Sequence, residues 1–204
     1  MSNSKEMFVN HVGGIEFMGD NIRARLKYCG TGVRLYPLCK MIHAEQAMLD
    51  NCCQLFDYVF VDAGKSLKIG KYSTLTWYSL IEGGANTFIG DRVFVGPGCR
   101  ILTSTYRLNG FYSIEHIPDE CHSTEYGDIV IHDDAYLGAN CTIMPGTILG
   151  EGSVIGANSF VEGELEPWTI YAGTPCKPIG IRKQPSEEMR QRLLELDWSP
   201  TWGT

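Results

Sequence analysis

Five histidines, at positions 11, 43, 116, 122 and 132, carry the one side chain that titrates close to neutral pH without help, the property that lets an imidazole take a proton from an alcohol. Two of them, His116 and His122, fall in the stretch YRLNGFYSIEHIPDECHSTEYGD (106–128), with Tyr106, Phe111, Tyr112, Tyr126 and several carboxylates. This stretch is too aromatic for a disordered linker and predicts an ordered loop that helps to build a site. Asn109 and Tyr112 are its candidate substrate contacts. His116 has Ile114, Glu115, Ile117 and Pro118 around it, aliphatic neighbours able to anchor a ring, but neither Glu115 nor Asp119 can be assigned as its partner. His132, read as facing outward from a strand, follows His122; His11 and His43, far upstream, rank last.

A second unusual stretch is STLTWYSLIEGG (73–84). Trp77 and Tyr78 are candidates to line a substrate cleft, since exposed aromatic faces offer stacking surfaces to a ligand, and Glu82 is a nearby polar candidate. Towards the C-terminus Lys177, Arg182 and Lys183 offer positive charge to phosphate groups.

The elements that position these residues are legible in a repeat. Ile131, Leu137, Ile143, Leu149, Ile155 and Val161 recur every sixth residue. The same template fits Leu35 and Met41, then Leu49, Leu55 and Val61, then Ile69, Leu75 and Ile81, then Ile89, Val95 and Ile101. Two extra residues follow Met41, Val61 and Ile81, so this half of the chain repeats every twenty residues and three hexapeptides make one turn. Four places after the aliphatic residue, twelve of the seventeen positions are Ala, Cys, Ser or Thr, Cys39, Cys53, Cys99 and Cys141 among them. A free cysteine there acts as a small hydrophobe. Interior glycines and Pro97 or Pro145 disfavour a helix. Short strands joined at glycine-containing corners, stacked into a triangular parallel β-helix, bury the pattern. Trp77 and Tyr78 are too large for so narrow an interior and are expected to point outward.

The chain of 204 residues, 44% hydrophobic and 20% charged, is sized for one soluble domain, and its net charge of −7 argues against a general nucleic-acid or membrane-surface binder. The N-terminus lacks the apolar core of a signal peptide and no run approaches a membrane span, so a cytoplasmic location is expected. The eight cysteines match neither a disulfide framework nor a zinc site, and no metal is expected. After Pro185, SEEMRQRLLELDW predicts a helix capped by Ser186, with Met189, Leu193 and Leu196 as a stripe that packs on the prism or on a neighbour. The domain reading is an N-terminal cap over 1–32, a β-helix over 33–181 interrupted by the excursion 106–128, and a helix and tail over 182–204.

The repeat, with PWTIYAGTPCKPIGI (167–181) as its end, resembles the hexapeptide-repeat acyltransferases, above all the sugar acetyltransferases of galactoside and maltose type and relatives that decorate polysaccharides. The likeness covers residues 33–181. It implies an all-β fold, a left-handed parallel β-helix, with an excursion loop and a short C-terminal helix. It implies acetyl-CoA as co-substrate, a sugar hydroxyl or amine as acceptor, and a homotrimer with sites between subunits. In such enzymes the pantetheine arm lies along small corner residues, here Ala139, Asn140, Ala157 and Thr174, with Lys177, Arg182 and Lys183 for the nucleotide phosphates. The family places its catalytic histidine at the end of an aliphatic–x–T–x–x–H motif; here that motif reads ILTSTY, with Tyr106 in the histidine's place. His116 is therefore the first substitute as base, with His122 and Tyr106 as further candidates. Two other readings stay open: a non-catalytic β-helix scaffold, and a hydration enzyme of the γ-class carbonic anhydrase kind, which requires three histidines on coil faces where only His132 stands.

Overall fold

The computed structural model describes residues 8–9, 15–107, 109–113, 117–121 and 123–195. Each hexapeptide makes a two- to four-residue strand and a tight corner, and every third strand stacks in register on the one before, forming three parallel sheets. Face 1 holds seven strands, from Tyr28–Cys29 to Glu164–Leu165. Face 2 runs from Arg34–Leu35 to Thr169–Gly173, and face 3 from Lys40–Ile42 to Phe160–Val161. The register follows the repeat: Leu75 pairs with Leu55 and Val95, and Leu137 with Val95 and Ile155.

The aliphatic residue of each hexapeptide points inward and the small residue four places on fills the remaining interior. Leu49, Leu55, Val61, Ile69, Leu75, Ile81, Val95 and Ile101 are fully buried, as are Cys39, Cys53, Cys99 and Cys141. Burial pushes the Cys39 thiol up to about 11 and the Cys53 thiol further, so these sulfurs pack rather than react. The ends of the prism are closed by other means. At the N-terminal end a 3-10 turn, Gly19–Arg25, inserts Ile22 into the core, and Ile15–Met18 pairs antiparallel with Lys40–Ile42. At the C-terminal end the stack continues past Val161 through buried Leu165 and Tyr171, which the six-residue count misses because the corner before Leu165 is two residues shorter. Thr169–Gly173 and Cys176–Ile181 then fold into an antiparallel hairpin that ends face 2.

All the irregular length falls on one edge, that between faces 3 and 1. The two-residue insertions after Met41, Val61 and Ile81 lie there, and so does the excursion after Ile101. The coils on either side of the excursion remain in register, and polar stitches hold them at a constant separation. Asn86 meets Asp128, the Asp91 amide donates to Asp133 Oδ1 at 2.9 Å, and Arg92 grips both Asp134 oxygens at 2.6 and 2.9 Å, each pair 42 residues apart. A carboxylate gripped at two points by a guanidinium is fixed in orientation as well as attracted, which resists rotation of one coil on the next.

The C-terminal helix, Glu187–Glu195, starts where expected, with Ser186 Oγ accepting from the Met189 amide at 3.2 Å. None of its residues is buried, and Met189 is 64% exposed; Arg190 ties it to the prism, lying over the Trp168 ring and 3.5 Å from Glu151, while Met189 and Leu193 face the space between helix and prism. Leu196 lies outside the described residues. The helix roofs a cavity of about 540 Å³ on the edge between faces 1 and 2, with Lys71, Tyr72 and Arg92 in its wall. Among the described residues no helix is long and apolar enough to cross a membrane.

Candidate active site

Two edges of the prism carry the residues with chemistry. Along edge 2/3 the corners stack in a line, each held to the one below by a backbone hydrogen bond: Tyr58 N to Leu38 O, Gly98 N to Trp77 O, Asn140 N to Pro97 O and Asn158 N to Ala139 O, all 2.8–3.2 Å. The character of this line changes abruptly halfway. Its first three coils carry Tyr36, Phe56, Tyr58, Trp77 and Tyr78, with Tyr58 and Tyr78 stacked at 5.0 Å and Trp77 edge-on to Phe56 at 4.8 Å. Trp77 and Tyr78 point outward, 47% and 64% exposed. From the fourth coil onward the line is bare: Pro97 and Gly98, then Ala139 and Asn140, then Ala157 and Asn158, ending at Thr174, whose hydroxyl donates to Asn158 O at 3.2 Å. Gly98 adopts a left-handed φ of +72°, which glycine enters without strain, and a side chain there would have to displace the Asn140 side-chain oxygen.

The structure thus puts Trp77 and Tyr78 on the same line as Ala139, Asn140, Ala157 and Thr174, although up to 97 positions of sequence separate them. Lys177 is close to the end of that line, exposed and paired with Ala172 across the terminal hairpin. Arg182 is placed elsewhere. Its guanidinium crosses to edge 1/2, where it donates to the carbonyls of Asp134 at 2.6 Å and Gly152 at 3.1 Å and stacks on Trp168. Lys183 follows it and is exposed.

Edge 3/1 carries the excursion. Its root is a short antiparallel ladder, Ser104–Tyr106 against Thr124–Tyr126, so Tyr106 is a half-buried strand residue opposite Thr124. The root is anchored downward by Thr103 Oγ1, which donates to Glu82 O at 2.8 Å, and by the Tyr126 ring, which lies against Gly84. Asn109 and Tyr112 lie exposed further out, and Glu82 is exposed one coil below the root. His116 and His122 lie outside the described residues. His132 is exposed on face 1. Among the described residues no three His, Cys, Asp or Glu side chains gather as a metal site requires.

One pair on this edge was ranked last in the sequence. His43 Nδ1 lies 2.7 Å from Asp62 Oδ1, and the Gly64 amide donates to the same oxygen at 2.9 Å. The signal that could have found it is the twenty-residue turn, which stacks any residue on the one about twenty positions later.

Above the pair, the Asn86 amide and side chain donate to the Asp128 carboxylate at 2.9–3.0 Å, and these bonds hold it below its ordinary range. A carboxyl with a lower pKa folded than unfolded stabilises the fold above its unfolded pKa, about 3.9, and stops doing so as pH falls through the lower folded value. Asp128→Ala is therefore expected to lower the melting temperature slightly at neutral pH, and the gap from wild type should narrow as the pH falls below the unfolded carboxylate value of about 3.9. Thermal melts across that range check it.

Comparison with known proteins fits this geometry. Residues 128–163 match the family described as bacterial transferase hexapeptide (six repeats). A chloramphenicol acetyltransferase of Agrobacterium fabrum is 40% identical over 163 residues, spanning 68% of this chain and 76% of that protein. The chain belongs to the hexapeptide-repeat acyltransferases. The dTDP-4-amino-4,6-dideoxy-D-glucose acyltransferase of Escherichia coli is 27% identical over 173 residues, covering 84% of this chain and 86% of that one. In fold, the chain is similar to a point variant of AntD, an N-acyltransferase from Bacillus cereus solved with dTDP-4-amino-4,6-dideoxyglucose and coenzyme A. The TM-score is 0.78 at 23% identity, over 84% of this chain and 92% of that one.

Proposed function

We propose that this chain is an acetyl-CoA-dependent acetyltransferase acting on a hydroxyl or amino group of a sugar, nucleotide-linked or a polysaccharide precursor, as a cytoplasmic homotrimer with its sites between subunits. The observation that carries this reading is edge 2/3, bare over its last coils and aromatic over its first. A pantetheine arm is thin, extended and rich in amides, and the bare corners Ala139–Asn140 and Ala157–Asn158 let it lie against backbone carbonyls and amides. Lys177 then faces the nucleotide end. The thioester end points to the coils where Trp77 and Tyr78 offer exposed ring faces to an acceptor. The excursion, with Asn109 and Tyr112, would close the cleft from the neighbouring edge.

Transfer needs the thioester held beside the acceptor, donors for the tetrahedral oxyanion and a group to take the acceptor's proton. A second reading, a hydroxyl of an antibiotic as acceptor, is favoured by the 40% identity to a chloramphenicol acetyltransferase.

The deciding experiment is thiol release from acetyl-CoA with a panel of nucleotide-linked amino and hydroxy sugars, chloramphenicol and a macrolide. Turnover with a sugar supports the proposal, and turnover confined to an antibiotic supports the second reading. Neither turnover nor acetyl-CoA binding would leave a non-catalytic scaffold.

A further inference from the structure

The aromatic half of edge 2/3 ends in a missing rung. At the third residue of successive corners stand Leu38, Tyr58, Tyr78, Gly98, Asn140 and Asn158. Tyr58 and Tyr78 stack almost parallel, 4° apart with centroids at 5.0 Å, so Tyr58 covers the lower face of the Tyr78 ring. The residue stacked above Tyr78 is Gly98, whose amide donates to the Trp77 carbonyl and which has no side chain to cover the upper face. Tyr78 is accordingly more exposed than Tyr58, 64% against 52%. From the Tyr78 corner to the Asn140 corner is two coil spacings, about 9.6 Å, which admits one further ring, since stacked rings sit about 5 Å apart between centroids.

Two polar side chains converge on the same corner. That of Asn140 folds down from the coil above until its oxygen lies where a Cβ of residue 98 would be, and its carboxamide has no hydrogen-bond partner among the described residues. Arg100 begins the face 3 strand Arg100–Leu102, in register between Leu80 and Thr142, and turns back so that its Nη1 donates to the Gly98 carbonyl at 3.3 Å. Arg23, Arg92, Arg107 and Arg190 each meet a carboxylate, whereas Arg100 is exposed and has none among the described residues. The one carboxylate on these corners, Asp57, lies two coils below and accepts from the Leu38 amide at 2.9 Å. A guanidinium has several N–H donors and the Gly98 carbonyl uses one, which leaves a fork able to grip a phosphate at two oxygens.

We propose that the Gly98 corner is the acceptor subsite, that it takes a sugar ring carrying a phosphate, and that Arg100 selects for that charge. This rests on the acetyltransferase reading above and deepens it, by giving preference to a phosphate-linked sugar over a neutral antibiotic. The sugar replaces the missing rung. It stacks on the open face of Tyr78, its polar edge meets the Asn140 carboxamide, which both donates and accepts, and its phosphate lies on Arg100. The subsite also stands where the cofactor would end. From Thr174 down through Asn158 and Asn140 to Gly98 is three coil spacings, about 14 Å, a length that an extended pantetheine arm spans. A thioester lying on that line arrives beside the ring.

The test is steady-state kinetics of wild type, Arg100→Ala and Arg100→Lys on the best nucleotide-linked sugar of the panel, with the methyl glycoside of the same sugar and chloramphenicol as neutral acceptors. Arg100→Ala is expected to raise KM for the nucleotide-linked sugar roughly tenfold or more, with KM for acetyl-CoA and the melting temperature unchanged, because the side chain is exposed. Arg100→Lys keeps the charge without the fork and should fall in between. Neither variant should alter KM for the methyl glycoside, whereas Tyr78→Ala should raise it, since that change removes the platform and leaves the charge. An unchanged KM for the nucleotide-linked sugar in Arg100→Ala overturns the proposal. So does a raised KM for acetyl-CoA, which would give the guanidinium to the cofactor's phosphates, and so does turnover confined to chloramphenicol. Isothermal titration of the nucleotide-linked sugars of the panel, with and without coenzyme A, separates the subsite from the reading beneath it. Binding that Arg100→Ala weakens tenfold, in a wild type that transfers to nothing, supports the subsite and refutes the acetyltransferase reading. Neither binding nor transfer overturns both.

Discussion

Tryptophan in place of Ala157 is expected to raise KM for acetyl-CoA about 30-fold or more while the melting temperature stays within about 2 °C of wild type. Ala157 is exposed on edge 2/3, so an indole there stands in solvent and displaces nothing from the core. It would, however, obstruct the line along which the pantetheine arm is proposed to lie. Loss of one well-packed contact region costs a ligand about 2 kcal/mol or more, which is roughly 30-fold in affinity. Ala157→Ser, which keeps the corner small, should change KM less than threefold. Lys71→Trp, exposed on edge 1/2, should leave it unaltered and serves as the control. An unchanged KM in Ala157→Trp would move the cofactor off this edge. Isothermal titration with coenzyme A gives the same answer without an acceptor.

The second large effect is expected inside the prism. Leu75→Ala should destabilise the protein by about 2–5 kcal/mol, the range for a buried leucine whose surroundings cannot collapse. Leu75 is fully buried and stacked in register between Leu55 below and Val95 above. It lies in the third coil, away from either end of the stack, so the gap cannot be relieved by fraying. Leu165, 5% exposed in the final short coil, is flanked on one side only, and its truncation should cost distinctly less. Equilibrium urea unfolding followed by far-ultraviolet circular dichroism measures both. A loss below about 1 kcal/mol for Leu75→Ala would mean that the coils do not share one continuous core. Because Leu75 immediately precedes the Thr76–Trp77–Tyr78 corner, the same variant should also loosen the aromatic wall.

Much of the scaffold was legible because a β-helix writes its geometry into a short period. The interval of six between aliphatic residues marks one strand and corner, and the insertions at every third hexapeptide mark the turn. Leu55, Leu75 and Val95 can be paired from spacing alone, and they do pair. The outward placement of Trp77 and Tyr78 followed from volume, since the interior admits one aliphatic and one small residue per hexapeptide. The period failed where the corner length changed. Leu165 and Tyr171 were missed for that reason, and spacing likewise does not reveal that the Arg182 guanidinium reaches carbonyls of two earlier coils. The C-terminal helix was located correctly, but its apolar stripe did not predict the Arg190 contact that attaches it.

By itself, then, the sequence determined that this chain would coil, how many residues each turn would take and which side chains would face inward, because those properties depend on residues a few positions apart. The tertiary structure alone decided which corners share an edge. It aligned Tyr78 with Asn140 and Ala157, collected every insertion on the edge of the excursion and set His43 against Asp62. Such pairings are made between coils stacked about 4.8 Å apart, while their residues lie nineteen, twenty or more than sixty positions apart in the chain. A repeat makes each coil look much like the next, so the chemistry depends on the few corners that differ, and the stacking brings those together.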